Sequence, residues 1–267
     1  MPTPPSWPDT TQIHYVRTGP RGGPPVVLLH AFGMDLTLWD AQIAVLGASY
    51  DTIALDLPGH GQSAPPAYPL SFASFTAPIA HLLHTLQTGP VHLVGISFGG
   101  MLAQTLASTQ PALVRSLSLI GTAATFAEAG RAALRERAAF VRANGLAALA
   151  PLSLARWFTP DFSRRRPEVL DRVGKLLAQH EAAFHGDVWE LIATLDTVAA
   201  LAQCTLPAQV LVGEQDASTP LAAAQVLATA LATTKLAVIP ASAHFTNVDA
   251  PAETNALLLQ FLAACAS

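Results

Sequence analysis

Two short stretches and one glycine-flanked serine carry residue types that could together do nucleophilic chemistry. The serine sits in Gly95-Ile96-Ser97-Phe98-Gly99, after the apolar run Val91–Ile96 and before a stretch with helical spacing. A serine at the apex of a sharp strand-to-helix turn presents its hydroxyl outward, and neighbours without side chains relieve the crowding such a turn creates. A serine hydroxyl is a weak nucleophile. It needs a base within reach, and that base must be oriented by a third group. Downstream, Gly213-Glu214-Gln215-Asp216-Ala217-Ser218-Thr219-Pro220 follows the apolar run Gln209–Val212, and Asp216 falls in the loop past its carboxyl end. Glu214 is the rival acid, nearer the strand. Pro240-Ala241-Ser242-Ala243-His244-Phe245 follows the run Leu236–Ile239, and His244 is the last of nine histidines and the only one after Asp216. Ser97 as nucleophile, Asp216 as orienting acid and His244 as base point to acyl transfer.

Acyl transfer also needs donors for an oxyanion, usually the largest electrostatic contribution. The N–H of Phe98, next to the serine, is one candidate. The loop His30-Ala31-Phe32-Gly33 after the run Val26–His30 supplies the other, through Phe32 or else Ala31. His30 is read as shaping that loop. Asp56-Leu57-Pro58-Gly59-His60-Gly61-Gln62-Ser63 is read as a structural glycine turn. His81 and His84 lie three apart on a helix but have no accompanying third ligand, so no metal site is expected.

The elements that must hold these loops alternate. Strands are predicted at Gln12–Arg17, Val26–His30, Thr52–Leu55, Val91–Ile96, Ser116–Ile120, Gln209–Val212 and Leu236–Ile239. Helices are predicted at Leu38–Leu46, Phe72–Leu86, Phe98–Thr109 and Ala252–Ala264. Short apolar strands alternating with helices imply a parallel sheet covered on both faces. From about Ala123 to Ala202 strands are missing; the segment reads as helices broken at Pro151, Pro160 and Pro167, an insertion suited to a lid. The predicted organisation is a core of residues 1–122 and 203–267 with a helical cap over 123–202. Residues 1–10, rich in proline, are expected on the surface.

The 267 residues suit one large core, and 51% are hydrophobic against 12% charged, which excludes a disordered chain. A net charge of −4 offers no footprint for nucleic acid or an anionic membrane surface. Cys204 and Cys265 have neither disulfide nor metal-ligand spacing. No secretory signal and no run of about 18 apolar residues is visible, so a cytoplasmic protein without a membrane span is expected.

Taken together, the His30–Gly33, Asp56–Ser63 and Gly95–Gly100 stretches with Asp216 and His244 resemble the α/β-hydrolase superfamily over nearly the whole chain. The resemblance implies a mostly parallel central sheet with helices on both faces and a helical cap inserted after the sixth strand. A narrower likeness, to 3-oxoadipate enol-lactonases, rests on Leu38–Ile43, Gly100-Met101, Arg156–Phe162, Arg166–Val169 and His244–Val248. It implies hydrolysis of an enol-lactone in aromatic catabolism, hence a small-molecule ester or lactone substrate, with no metal or organic cofactor and with Arg156 and Trp157 lining the pocket. Ala193 stands near a place where that family tends to carry an arginine. The same catalytic residues also suit a broad-specificity carboxylesterase, a carbon–carbon bond hydrolase or a non-catalytic small-ligand receptor. Carbon–carbon hydrolases usually place tryptophan after the catalytic histidine, where this chain has Phe245.

Overall fold

A computed structural model describes residues 12–231 and 234–265; the proline-rich residues 1–10, expected on the surface, lie outside it. The chain builds a seven-stranded sheet in the order β1-β3-β2-β4-β5-β6-β7. Its strands are β1 (Tyr15–Thr18), β2 (Val26–Leu29), β3 (Thr52–Leu55), β4 (Val91–Ile96), β5 (Val114–Ile120), β6 (Ala208–Gly213) and β7 (Thr234–Ile239). β1 pairs antiparallel with β3 and every other pairing is parallel.

Helices α1 (Asp40–Leu46), α2 (Phe72–Thr85) and α3 (Phe98–Thr109) join the first five strands. The insertion holds α4 (Glu128–Trp157), α5 (Pro160–Arg165), α6 (Pro167–Ala178), α7 (Ala182–Ile192) and α8 (Val198–Leu201). α9 (Leu221–Ala230) joins β6 to β7, and α10 (Thr246–Asp249) and α11 (Pro251–Ala264) follow the last strand.

Successive strand residues point to opposite faces, and both faces are apolar. Val27, Leu29, Ile53 and Leu93 join Phe75, Leu102 and Leu227 of α2, α3 and α9 on one side. Val26, Leu28, Ala54 and Val94 join Leu46 and Leu258 of α1 and α11 on the other. β2 and β4 are wholly buried, while β7, at the edge, is half exposed. The register aligns Leu29, Gly95, Leu119 and Val210 across four strands, so their carboxyl ends open on one edge.

The insertion follows the fifth strand among the described residues, not the sixth. A single antiparallel strand precedes the parallel run, and the turn after Thr18 leads straight into β2. The breaks inside the insertion also differ from expectation. Pro160 and Pro167 open α5 and α6 at their first positions, where a missing N–H costs nothing. Pro151 is carried within α4; the interruption falls at Gly145, whose φ of 77° and ψ of 172° leave the helical region. By length and composition α4 could cross a membrane, but that break and its packing against α6 and α7 make it part of the folded body.

The two ends of the insertion are tied together. Thr125 and Asp196 form an isolated bridge, Thr197 N–H donates to the Ala124 carbonyl at 2.9 Å, and the Arg131 guanidinium donates to the carbonyls of Ala193 and Leu195.

Candidate active site

Ser97 follows the last residue of β4 and caps α3 with a φ of 53°, a left-handed conformation rare for a residue with a side chain. Its backbone is held at both ends: its N–H donates to the Ile120 carbonyl at 2.9 Å, and its own carbonyl accepts from Thr122 Oγ1 at 2.7 Å. The flanking glycines are required by close approach. A Cβ on Gly95 would lie 2.4 Å from the Gly99 carbonyl oxygen, and one on Gly99 would lie 2.1 Å from that of Leu29.

Asp216 and His244 come from the loops after β6 and β7. The Asp216 carboxylate meets the His244 imidazole, Oδ2 to Nδ1, at 2.9 Å, with both side chains almost fully buried. Ser97 and His244 line one cavity of about 50 Å³. Glu214 is exposed and accepts from the Ala241 N–H at 3.0 Å, away from the imidazole.

Three further donors hold Asp216. Its Oδ1 accepts from the N–H groups of Ser218 at 2.8 Å and Thr219 at 2.9 Å, and its Oδ2 accepts from Thr219 Oγ1 at 2.9 Å. Burial opposes the carboxylate charge, but the His244 charge and hydrogen bond, with the two N–H groups, hold the group below its ordinary range. The His244 loop is braced from behind by Asp249, which accepts from the Ala243 N–H at 2.8 Å and from the Ser242 hydroxyl. Burial raises the proton affinity of that second carboxyl.

Phe98 is the first residue of α3, so its N–H has no partner within the helix and faces the end where the helix dipole favours negative charge. Phe32 and Ala31 line the cavity. His30 shapes this loop: its Nε2 accepts from the Leu57 N–H at 2.9 Å, which fixes the ring's proton on Nδ1, donating to the Ala31 carbonyl at 2.8 Å. The 56–63 turn is likewise knotted, with Asp56 accepting from the N–H groups of Leu36 and Gln62 and pairing with His14. His81 and His84 are exposed, and no cluster able to hold a metal ion is found among the described residues.

The two cap residues named from the sequence part company. Trp157 lines the cavity, stacked on Phe245 with ring centres 4.9 Å apart. Arg156, its neighbour, does not line it: its guanidinium donates to the Ala217 carbonyl and braces the acid loop. The cation that lines the cavity is Arg137 of α4. Its guanidinium lies 4.9 Å from the centre of the Trp189 ring, and among the described residues it has no hydrogen-bond or ion-pair partner. Burial, and then the charge of Arg156, pull its proton affinity down to about 10, so it stays charged at neutral pH.

Arg137, Thr219, His185 and Gly121 all escaped the sequence reading. For Thr219 a signal was present: Asp-x-x-Thr is the spacing at which an aspartate accepts from the N–H groups two and three residues on. Arg137 had none, because only the packing of α4 decides which of its arginines faces inward.

Comparison with known proteins places the chain in a family. The model of the alpha/beta hydrolase fold family matches residues 24–251. A 3-oxoadipate enol-lactonase of Acinetobacter baylyi is 32% identical, over 91% of this chain and 90% of its own length. An (E)-2-((N-methylformamido)methylene)succinate hydrolase of the same organism is 29% identical over 93% of each chain. Among solved structures, the enol-lactonase of Burkholderia xenovorans superposes with a TM-score of 0.88 at 27% identity, covering 94% of this chain and 96% of that one. The chain belongs to the α/β-hydrolase fold family.

Proposed function

We propose that this enzyme hydrolyses a carboxylic ester or lactone through an acyl-enzyme on Ser97. The observation that carries the reading is the buried Asp216–His244 pair, facing the same cavity as a serine on a strained strand-to-helix turn. His244 takes the Ser97 proton as the serine oxygen attacks the carbonyl. The N–H groups of Phe32 and Phe98 receive the oxyanion, and Asp216 holds the imidazole and stabilises its charged form. His244 then returns the proton to the leaving oxygen and draws one from water for deacylation. The helices of 123–202 act as a cap over the core of 1–122 and 203–267, excluding water from the reaction.

The substrate is a small ester or lactone that carries a carboxylate, as an enol-lactonase substrate would. An unpaired, largely buried guanidinium in a cavity walled by Phe32, Trp157, Trp189 and Phe245 supports this, since such a cation lacks only an anion. Two relatives whose names specify acidic substrates point the same way. Replacing Arg137 by Leu is expected to raise KM for a carboxylate-bearing lactone about 10- to 100-fold, the worth of one charged hydrogen-bonded contact. Turnover of a neutral p-nitrophenyl ester should change less than about 3-fold, because nothing in that substrate meets the charge. Equal losses on both substrates would remove Arg137 from recognition.

A serine-directed phosphonate, followed by peptide mass spectrometry, tests the core of the reading. The adduct is expected on Ser97, together with loss of turnover on a panel of p-nitrophenyl esters and small lactones. A chain that binds these compounds without hydrolysing them is a receptor and not an enzyme.

The acid–base pair also sits against bare backbone. Gly121 has a φ of 48°, and a Cβ there would lie 3.0 Å from the His244 carbonyl and 3.3 Å from both Asp216 Oδ2 and His244 Nδ1. Gly121→Ala is expected to lower kcat about 10- to 100-fold by displacing that pair. Steady-state kinetics beside a melting curve check this, and an Ala variant with unchanged kcat would refute it.

A further inference from the structure

We infer that Thr219 is a positioning residue that tunes how firmly Asp216 holds the His244 imidazole, through the carboxylate oxygen the two side chains share. The inference rests on the hydrolase reading above for its consequence in turnover, but its geometric basis is independent. Thr219 Oγ1 is 2.9 Å from Asp216 Oδ2 and 3.4 Å from His244 Nδ1, and His244 Nδ1 is itself 2.9 Å from that same Oδ2. The three atoms form a compact triangle. Thr219 is 5% exposed, and the Asp216 side chain that carries the shared oxygen is buried.

The division of labour between the carboxylate oxygens gives the hydroxyl its role. Oδ1 is occupied by two backbone N–H groups, of Ser218 and Thr219, which fix where the carboxylate lies. Those bonds use backbone N–H groups that serine or valine at 219 retains. Oδ2 is the oxygen that orients the imidazole, and among the described residues the Thr219 hydroxyl is the one side chain other than His244 that donates to it. A donor on Oδ2 draws charge away from the contact with Nδ1, and so weakens the preference of the carboxylate for a protonated ring. The hydroxyl therefore fixes how much of the Asp216 charge on Oδ2 meets the imidazole, and its removal strengthens that contact.

Other charged groups around the ring stay fixed in this comparison. They are Asp216 after β6 and Asp249 of α10, with Arg137 of α4 and His185 of α7 lining the same cavity. None of them touches the Thr219 hydroxyl except Asp216, so a change at Thr219 reports on one link.

Two variants separate this role from packing. Thr219→Val keeps the branched shape and removes the hydroxyl, whereas Thr219→Ser keeps the hydroxyl and removes the methyl. The pH dependence of kcat/KM for a p-nitrophenyl ester is expected to move its acid limb up by about 0.5–1 pH unit in the Val variant, with plateau kcat lowered about 10-fold. The Ser variant should keep the wild-type limb and lie within about 3-fold in rate. Titration of His244 by NMR in ¹⁵N-histidine-labelled protein reads the same shift without turnover. If the phosphonate misses Ser97 while the NMR shift is present, the hydrolase reading fails and the inference stands. A Val variant whose His244 titrates as in wild type overturns the inference, as does a Ser variant that loses as much as Val.

Discussion

Replacing Ser97 by Ala is expected to lower kcat/KM on an ester or lactone substrate by about 10⁴-fold or more while leaving the fold intact. The substitution removes one oxygen and nothing that holds the turn. The backbone bonds of residue 97 to Ile120, Thr122 and Met101 involve its N–H and carbonyl, which alanine retains. Alanine and serine also bear the same Cβ, so the φ of 53° costs both about equally. The melting temperature should accordingly stay within about 3 °C of wild type. What remains is an imidazole, its carboxylate and two oxyanion donors, which can still polarise a carbonyl and activate water. That machinery leaves a residual rate far below wild type, because the covalent intermediate that divides the reaction into two easier steps is gone. A Ser97→Ala protein retaining most of its turnover would place the nucleophile elsewhere in the chain.

Both sides of this experiment depend on features unequally visible in the sequence. The turn around Ser97 was legible because each of its requirements is local. Glycine is demanded at 95 and 99 by contacts under 2.5 Å, and the run Val91–Ile96 ends where the turn begins. Asp216 was separable from Glu214 by position: Glu214 directly follows the end of β6 and stays exposed, whereas Asp216 lies further along the loop whose Ser218 and Thr219 line the cavity. The helix α9 went unread because LAAAQVLATA is nearly uniform in polarity and shows no apolar stripe. In the insertion, local signals misled. Arg156 stands beside Trp157 in a family-like motif, yet consecutive helical residues point about 100° apart. One of them could face the cavity and the other could not. Arg137 lies on the same helix α4, on the other side of the break at Gly145, and nothing before that break foretells its direction.

Four histidines that the proposed chemistry does not use give rise to the second large effect, a steep loss of stability in mild acid. His30 and His60 belong to core loops, while His180 and His185 come from the turn after α6 and from α7. Ring centres of successive members lie 5.2, 4.8 and 6.0 Å apart, and His185 stacks on Phe32 at 4.0 Å. The seam between the insertion and the loop after β2 is therefore lined with imidazoles. Burial disfavours the charged form of each: His180 is pushed down to about 4 and His185 to about 3, and His30 and His60 are also lowered. Neighbouring imidazoles lower His60, His180 and His185 further, and Arg137 adds to the effect on His185, whereas Asp35 and Asp56 oppose it for His30 and Asp35 for His180. The unfolded chain would take up protons near pH 6.5 at each ring, and the folded chain refuses them until well below that. The unfolded state thus binds more protons, so stability is complete above about pH 6.5 and falls as the pH drops toward the folded values. Near pH 5 the four rings together give a slope of up to about 5 kcal/mol per pH unit, comparable with the whole stability of an ordinary domain. Far-UV circular dichroism and tryptophan fluorescence, followed from pH 8 to 3, are expected to show a cooperative transition between about pH 4 and 5.5. His185→Phe retains a ring against Phe32, removes the Nδ1 that is buried without a partner, and should lower the midpoint by about 0.4 pH unit. A wild-type signal that stays flat to pH 4, or a variant whose midpoint does not move, would mean that the rings tolerate charge where they lie. In that case the seam admits water, and the cavity is less sealed than its walls suggest.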